Sequence, residues 1–154
     1  MAAVASSNAG RGPTFLGSYT YQLDGKGRVA LPAAFRREAP DQRFVLIQAY
    51  APSLQLYPET EWRGVEDRLR ELVRHQPDAR MWVLRTMASA VEVAPDAQGR
   101  ILIPQRLKEA AQLAGEALLV GAIDRIEIWN PQDFERTAEA QAEGFERFAS
   151  QIFR

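Results

Sequence analysis

The chain has no cysteine and only one histidine, His75. The first absence removes disulfides, thiolate nucleophiles and cysteine-ligated metal centres. The second removes most imidazole-based zinc sites and Ser-His nucleophile chemistry. No apolar run approaches the roughly 20 residues that a membrane-spanning helix needs. Met1 to Pro13 lack the basic start and apolar stretch of a signal peptide. Those thirteen residues read as a disordered N-terminal extension, and the chain as cytoplasmic. Neither charge sign dominates, with 19 Lys and Arg against 20 Asp and Glu and a net charge of −1. Many nucleic-acid binders are basic overall, so the global balance argues weakly against that class. The local balance differs. Asp24 to Arg43 carries five basic and three acidic residues, whereas Asp133 to Arg154 carries five acidic and three basic ones. A basic face and an acidic tail can coexist in one near-neutral molecule.

What the sequence does contain is a repetition. Asp24-Gly25-Lys26-Gly27-Arg28-Val29-Ala30-Leu31-Pro32 returns 72 positions later as Asp96-Ala97-Gln98-Gly99-Arg100-Ile101-Leu102-Ile103-Pro104. Asp, Gly, Arg and Pro keep their spacing, and the three residues between Arg and Pro stay apolar. Phe35 and Leu107 occupy matching places. Leu54, Leu56, Tyr57 and Trp62 correspond to Ile126, Ile128, Trp129 and Phe134. An internal duplication sets the architecture before any local assignment. A module of about 60 residues buries too little surface to be comfortably stable alone, so the two copies are expected to share a core.

Within the first copy, Tyr19, Tyr21 and Leu23 alternate with polar residues, which predicts a strand over Phe15 to Leu23. Asp24 to Gly27 reads as a type I turn followed by a bulge, with Gly27, and Gly99 in the second copy, supplying the left-handed residue. Arg28 and Arg100 then open the next strands, Val29 to Leu31 and Ile101 to Ile103, each at the lip of a hairpin. Pro32 and Pro104 end those strands and suit the start of short helices, Ala33 to Glu38 and Gln105 to Ala111. Two more strands follow in each copy, Phe44 to Gln48 and Leu54 to Tyr57, then Leu118 to Gly121 and Ile126 to Trp129. A longer amphipathic helix closes each copy, Glu59 to His75 with Trp62, Val65, Leu69, Leu72 and Val73 on one face, and Pro131 to Phe153. Pro77 and Asp78 break the chain between copies, and Met81 to Met87 begins a further helix or strand.

This order resembles the swapped-hairpin fold of AbrB-like transcription factors, in which two copies interlock about a pseudo-twofold axis. The run Phe15-Leu16-Gly17, then Leu23-Asp24 through Lys26-Gly27-Arg28-Val29, Leu31-Pro32 and Phe35-Arg36, is similar to the opening of the MraZ family. The second Asp96-x-x-x-Arg100 and Leu54-x-Leu56-Tyr57 extend the likeness over residues 14–154. The expected fold is α+β: tandem swapped-hairpin modules at residues 14–77 and 78–154, forming a mixed, barrel-like core with peripheral helices. The resemblance implies a bacterial regulator, nucleoid-associated, that binds repeated double-stranded DNA boxes upstream of its own division and cell-wall gene cluster. It also implies a closed ring of identical subunits.

The residues themselves are compatible with that role. Arginine offers five donors in a planar fork and pairs bidentately with a guanine edge or a phosphate. Arg28 and Arg100 are the candidates for base contact, Lys26 for a phosphate as a point charge, and Arg36 and Arg37 for a phosphate clamp or a merely solvated face. Asp24 and Asp96 are the structural turn residues with Gly27 and Gly99, and Asp24 could simply form an ion pair with Arg28 across its turn. The recurrent aromatics Tyr57, Trp62, Trp129 and Phe134 read as core. Phe148, Ile152 and Phe153 suggest contact with a neighbouring subunit or another partner. No catalytic, metal or cofactor site is expected. The rival reading is a protein-interaction module, antitoxin-like or scaffolding, that grips its partner through the acidic tail.

Overall fold

The computed structural model of the protein describes residues 11–153; the first ten residues of the expected extension, and Arg154, lie outside the described residues. The duplication is visible at the level of elements. The first repeat runs β1 (Ser18–Gln22), β2 (Arg28–Ala30), α1 (Ala33–Arg36), β3 (Phe44–Ile47), β4 (Leu54–Pro58) and α2 (Glu59–His75). A 3-10 turn, Pro77–Ala79, leads to α3 (Arg80–Ser89). The second repeat follows as β5 (Val91–Val93), β6 (Arg100–Leu102), α4 (Gln105–Ala110), β7 (Glu116–Gly121), β8 (Ile126–Trp129), α5 (Pro131–Ala140) and α6 (Phe145–Ile152).

The fold is α+β and its strands pair antiparallel. Six strands make one sheet in the order β1-β7-β8-β4-β3-β5, and β2 with β6 makes a separate two-stranded ribbon. Each repeat therefore lends strands to the other: β1 lies on β7, β5 lies on β3, and β2 lies on β6. No pairing among the described strands joins β1 to β5, so the barrel-like closure expected from the sequence is not shown. The flanking strands of each charged turn differ from the expected hairpin as well. β1 and β2 do not form a ladder with one another, because Val29, Leu31, Ile101 and Ile103 bury together and draw β2 and β6 into a common ribbon.

One core serves both copies. Phe15 packs there with Phe35, Leu46, Leu54 and Leu56 and with the counterparts of those four, Leu107, Leu119, Ile126 and Ile128. Full burial of each such side chain contributes about 1.5–3 kcal/mol, which neither half can assemble alone. The repeated aromatics are packing residues. Tyr57 and Trp62 have ring centroids 5.7 Å apart, and Trp129 and Phe134 stand edge to face at 5.4 Å.

Two elements differ from the sequence expectation. The strand expected from Phe15 begins only at Ser18, since Gly17 takes φ +89°; Phe15 makes an isolated bridge to Ile123 instead. The single helix expected over Pro131 to Phe153 is two. Gly144, with φ +90°, stands where the first repeat has Leu72, and it separates α5 from α6. The apolar period continues through the break, which hides it from a pattern reading.

Candidate nucleic-acid interface

Both charged turns are built the same way. In the first, Gly27 N donates to Asp24 O at 3.0 Å and Asp24 N to Arg28 O at 3.0 Å. Gly27 has φ +86°, as the bulge position requires. The Asp24 carboxylate accepts from Lys26 N at 2.9 Å, Arg28 N at 2.8 Å and Arg28 Nε at 2.7 Å. Those contacts, the Arg28 backbone N–H first, hold its pKa down to about 2, against a partial opposing effect of desolvation. The second turn repeats the pattern: Gly99 N to Asp96 O at 2.9 Å, and Asp96 Oδ1 accepting from Gln98 N and Arg100 N at 2.9 and 3.0 Å. Arg100 Nε reaches Asp96 Oδ2 at 3.2 Å, and the Asp96 carboxyl is also lowered, chiefly by the Arg100 backbone N–H.

The pairing of β2 with β6 brings the two turns to one place. Arg28 faces Leu102, Val29 faces Ile101, and Ala30 faces Arg100. Strand alternation sends Val29 and Ile101 into the core and leaves Arg28, Ala30, Arg100 and Leu102 on the other face. The two arginines thus stand diagonally on a single ribbon face, each about one-third exposed. They are linked: Arg100 Nη1 lies 3.7 Å from Asp24 Oδ2, so Asp24 touches both guanidinium groups. Among the described residues the Arg28 guanidinium makes its carboxylate hydrogen bond through Nε, and neither Nη donates to a carboxylate. Its Nε is clamped while its distal fork stays available.

The other candidates separate. Lys26 is exposed at the first turn. Arg37 is exposed just past the end of α1, but Arg36 is half-buried against the second repeat's turn. A Cβ placed on Gly99 would lie 2.8 Å from Arg36 Nη1, and Arg36 Nε is buried with no hydrogen-bond partner. α1 of one repeat therefore buttresses the turn of the other, a cross-repeat contact that no linear reading supplies. Leu102 was not singled out from the sequence, yet it is 52% exposed on the arginine face. The period-2 alternation counted from Arg100 is the signal that marks it.

A ribbon two strands wide with arginines on its exposed face has the dimensions and donors that suit a major groove. Among the described residues no group of His, Cys, Asp and Glu is arranged to hold a metal ion, and no helix is long and apolar enough to cross a membrane.

Comparison with known proteins agrees with the doubled architecture. The chain matches the family described as "MraZ protein, putative antitoxin-like" twice, over residues 14–85 and 86–153. It is 44% identical over 128 residues to "Transcriptional regulator MraZ" of Desulfitobacterium hafniense (strain Y51), covering 81% of this chain and 89% of that one. It is 38% identical to the protein of that name from Pediococcus pentosaceus, over 90% of this chain and 96% of the relative. The relative from Desulforamulus reducens is 39% identical, again over 90% and 96%. The chain belongs to the MraZ family.

Proposed function

We propose that this member of the MraZ family is a non-enzymatic, sequence-specific transcriptional regulator that acts on double-stranded DNA. The observation that supports this reading best is the convergence of Arg28 and Arg100 on one exposed ribbon face, each with its Nε fixed by a turn carboxylate. Fixing Nε orients the guanidinium without using its outer donors, the kind of supporting contact that keeps a recognition side chain in its productive geometry. Arg28 reads a guanine edge, Lys26 and Arg37 hold phosphates, and Arg36 positions the second turn. Leu102 offers the apolar contact that a thymine methyl accepts. Asp24, Gly27, Asp96 and Gly99 shape the turns.

Residues 14–77 and 78–154 act as two duplicated modules of one subunit, and identical subunits close into a ring. The ring presents many ribbons to direct repeats upstream of the protein's own gene, within a division and cell-wall cluster. Linked engagement multiplies modest single contacts, which lets a chain of net charge −1 bind DNA tightly. Its place is the cytoplasm, on the nucleoid.

Fluorescence anisotropy with the DNA upstream of this gene, beside a scrambled duplex and at two salt concentrations, tests the reading. Tight binding that prefers the upstream DNA, weakens steeply with salt as counterion release demands, and collapses in Arg28→Ala is expected. Equal affinity for both duplexes, unchanged in Arg28→Ala, would shift the function to the rival protein-interaction module.

A further inference from the structure

The arginine ribbon is nearly symmetric, and the places where its symmetry fails lie together. Its central pair is Val29 and Ile101, flanked by Arg28 facing Leu102 and by Ala30 facing Arg100. Backbone bonds extend it at both ends, Ile103 N to Gly27 O at 2.9 Å and Leu31 N to Gly99 O at 2.8 Å. A half-turn about the Val29–Ile101 pair therefore carries each residue of one strand onto its copy 72 positions away. Under it Asp24, Gly27 and Arg28 fall on Asp96, Gly99 and Arg100, and the buried Leu31 falls on Ile103. On the outer side the mismatched pairs are Gly25 with Ala97, Lys26 with Gln98, and Ala30 with Leu102. Antiparallel pairing sorts these mismatches by end. Leu102 belongs to the second repeat yet lies against the first turn: it faces Arg28, and its Cδ1 would be 4.0 Å from a Cβ on Gly27. One end of the ribbon thus holds Lys26, Arg28 and Leu102. The other holds Gln98, Arg100 and Ala30, and its arginine already has Nη1 3.7 Å from Asp24 Oδ2.

A two-fold protein surface matches a palindromic site and docks on it identically in either direction. Unequal ends remove that degeneracy. We infer that the ribbon reads DNA in one orientation only, and that Lys26 and Leu102, set against Gln98 and Ala30, are the residues that choose it. The first end takes a phosphate at Lys26, a guanine edge at Arg28 and a thymine methyl at Leu102. The second end has neither the cation nor the apolar surface to do the same. The matching ligand is an asymmetric duplex segment whose guanine and thymine contacts lie at one end. Neither repeat supplies that end alone, since Lys26 and Arg28 come from the first and Leu102 from the second. A few-fold preference at one ribbon compounds when several ribbons engage one duplex, because linked contacts multiply. The inference rests on the DNA reading above and deepens it by naming what sets the direction of binding. Arg37, just past α1, and its counterpart Glu109 on α4 lie off the ribbon and stay unchanged in the test.

Tethered cleavage of the DNA tests it, because a chain without cysteine accepts a single engineered thiol. Gly25→Cys and Ala97→Cys each carry an iron–EDTA chelate to one turn tip. Both positions are exposed, and a Cβ on Gly25 meets nothing within 4 Å. Hydroxyl-radical cuts are mapped on the DNA upstream of this gene, beside a scrambled duplex. The strand between the turns, Gly27 to Leu31, spans about 14 Å at roughly 3.4 Å per residue, which is about four base pairs. At every protected site the two tethers should cut up to that far apart, displaced in one constant direction relative to the site's sequence. Exchanging the ends, by Lys26→Gln and Leu102→Ala together with Gln98→Lys and Ala30→Leu, should reverse the direction. Gln98→Lys with Ala30→Leu alone makes the ends alike and should bring the two cut patterns into coincidence. Coincident cuts from the two tethers without further substitution overturn the inference and leave the DNA reading standing. A displacement that the exchange fails to reverse, in protein with an unchanged circular dichroism spectrum, overturns it too. Absence of any preference for the upstream duplex over the scrambled one removes the DNA reading and the inference together.

Discussion

The two charged turns share a backbone and differ in what surrounds it. Both close through the same hydrogen bonds and both fix an arginine Nε on an aspartate. The first carries an exposed Lys26 and an Arg28 whose outer nitrogens make no carboxylate hydrogen bond among the described residues; the second carries Gln98 and an Arg100 whose Nη1 lies 3.7 Å from Asp24 Oδ2. The first faces Ile103 and Leu102 across the ribbon, while the second is packed under Arg36. Both copies keep the turn geometry that holds an arginine in place, and they differ in the charge around it. On the proposed reading, the first turn makes the DNA contact and the second completes the platform.

The sharpest break in that comparison is Arg28→Ala. It removes a bidentate donor worth about 1–3 kcal/mol per engaged site, and linkage across subunits multiplies the loss; anisotropy on the upstream DNA should show it. Arg100→Ala should cost less, and an equal or larger loss would overturn the assignment of unequal roles.

Glycine replacement separates the turns by stability rather than binding. Alanine at either position adopts a left-handed backbone at a cost of roughly 1–2 kcal/mol. At Gly27 its Cβ also lies 2.9 Å from the Ile103 carbonyl oxygen, which is backbone, whereas at Gly99 it meets the movable end of Arg36. Urea denaturation should therefore rank Gly27→Ala as the more destabilised, by about 1 kcal/mol or more.

Charge exchange between the turns is a subtler test. Gln98→Lys should add a phosphate contact and steepen the salt dependence of binding by about one ion per engaged turn, and Lys26→Gln should remove one. A salt series on each variant reads this directly, and unchanged slopes in both would remove lysine from the interface. Leu102→Ala should have the smallest effect, a loss of a few fold at about 1 kcal/mol or less. Replacing thymine by deoxyuridine in the probe should then weaken the wild type and leave Leu102→Ala indifferent.

The carboxylates give a test free of DNA. The folded pKa of Asp24, about 2, lies below its ordinary 3.8. Its contribution to stability is therefore complete above about pH 4 and is lost as the pH falls toward 2. Asp96 is lowered in the same direction. Carboxyl-carbon NMR should find Asp24 protonating well below an ordinary aspartate; a midpoint near 3.8 would mean that the clamp on Arg28 is absent in solution.

The repeat made much of this fold legible. A 72-residue offset carries β2 onto β6 and α1 onto the start of α4, and the α2 limits follow from its proline and its apolar period. The pairing of strands was not legible from residues alone, because alternation in β2 says which face is buried but not which strand lies alongside. The junction of the two turns therefore emerges only in the structure, together with Arg36 against Gly99 and Leu102 beside the arginines. The break before Gly144 is hidden for a related reason: Phe134, Phe145 and Phe148 keep a helical period across the gap between Ala140 and the helix that Gly144 begins.

The central claim is that the two arginines form one site because Asp24 touches both. A double-mutant cycle on Arg28→Ala and Arg100→Ala, read as affinity for the upstream DNA, tests it most directly. A shared site predicts losses that fail to add by at least about 0.5 kcal/mol, as groups in one network do. Strictly additive losses would contradict it and return the turns to two independent hairpins.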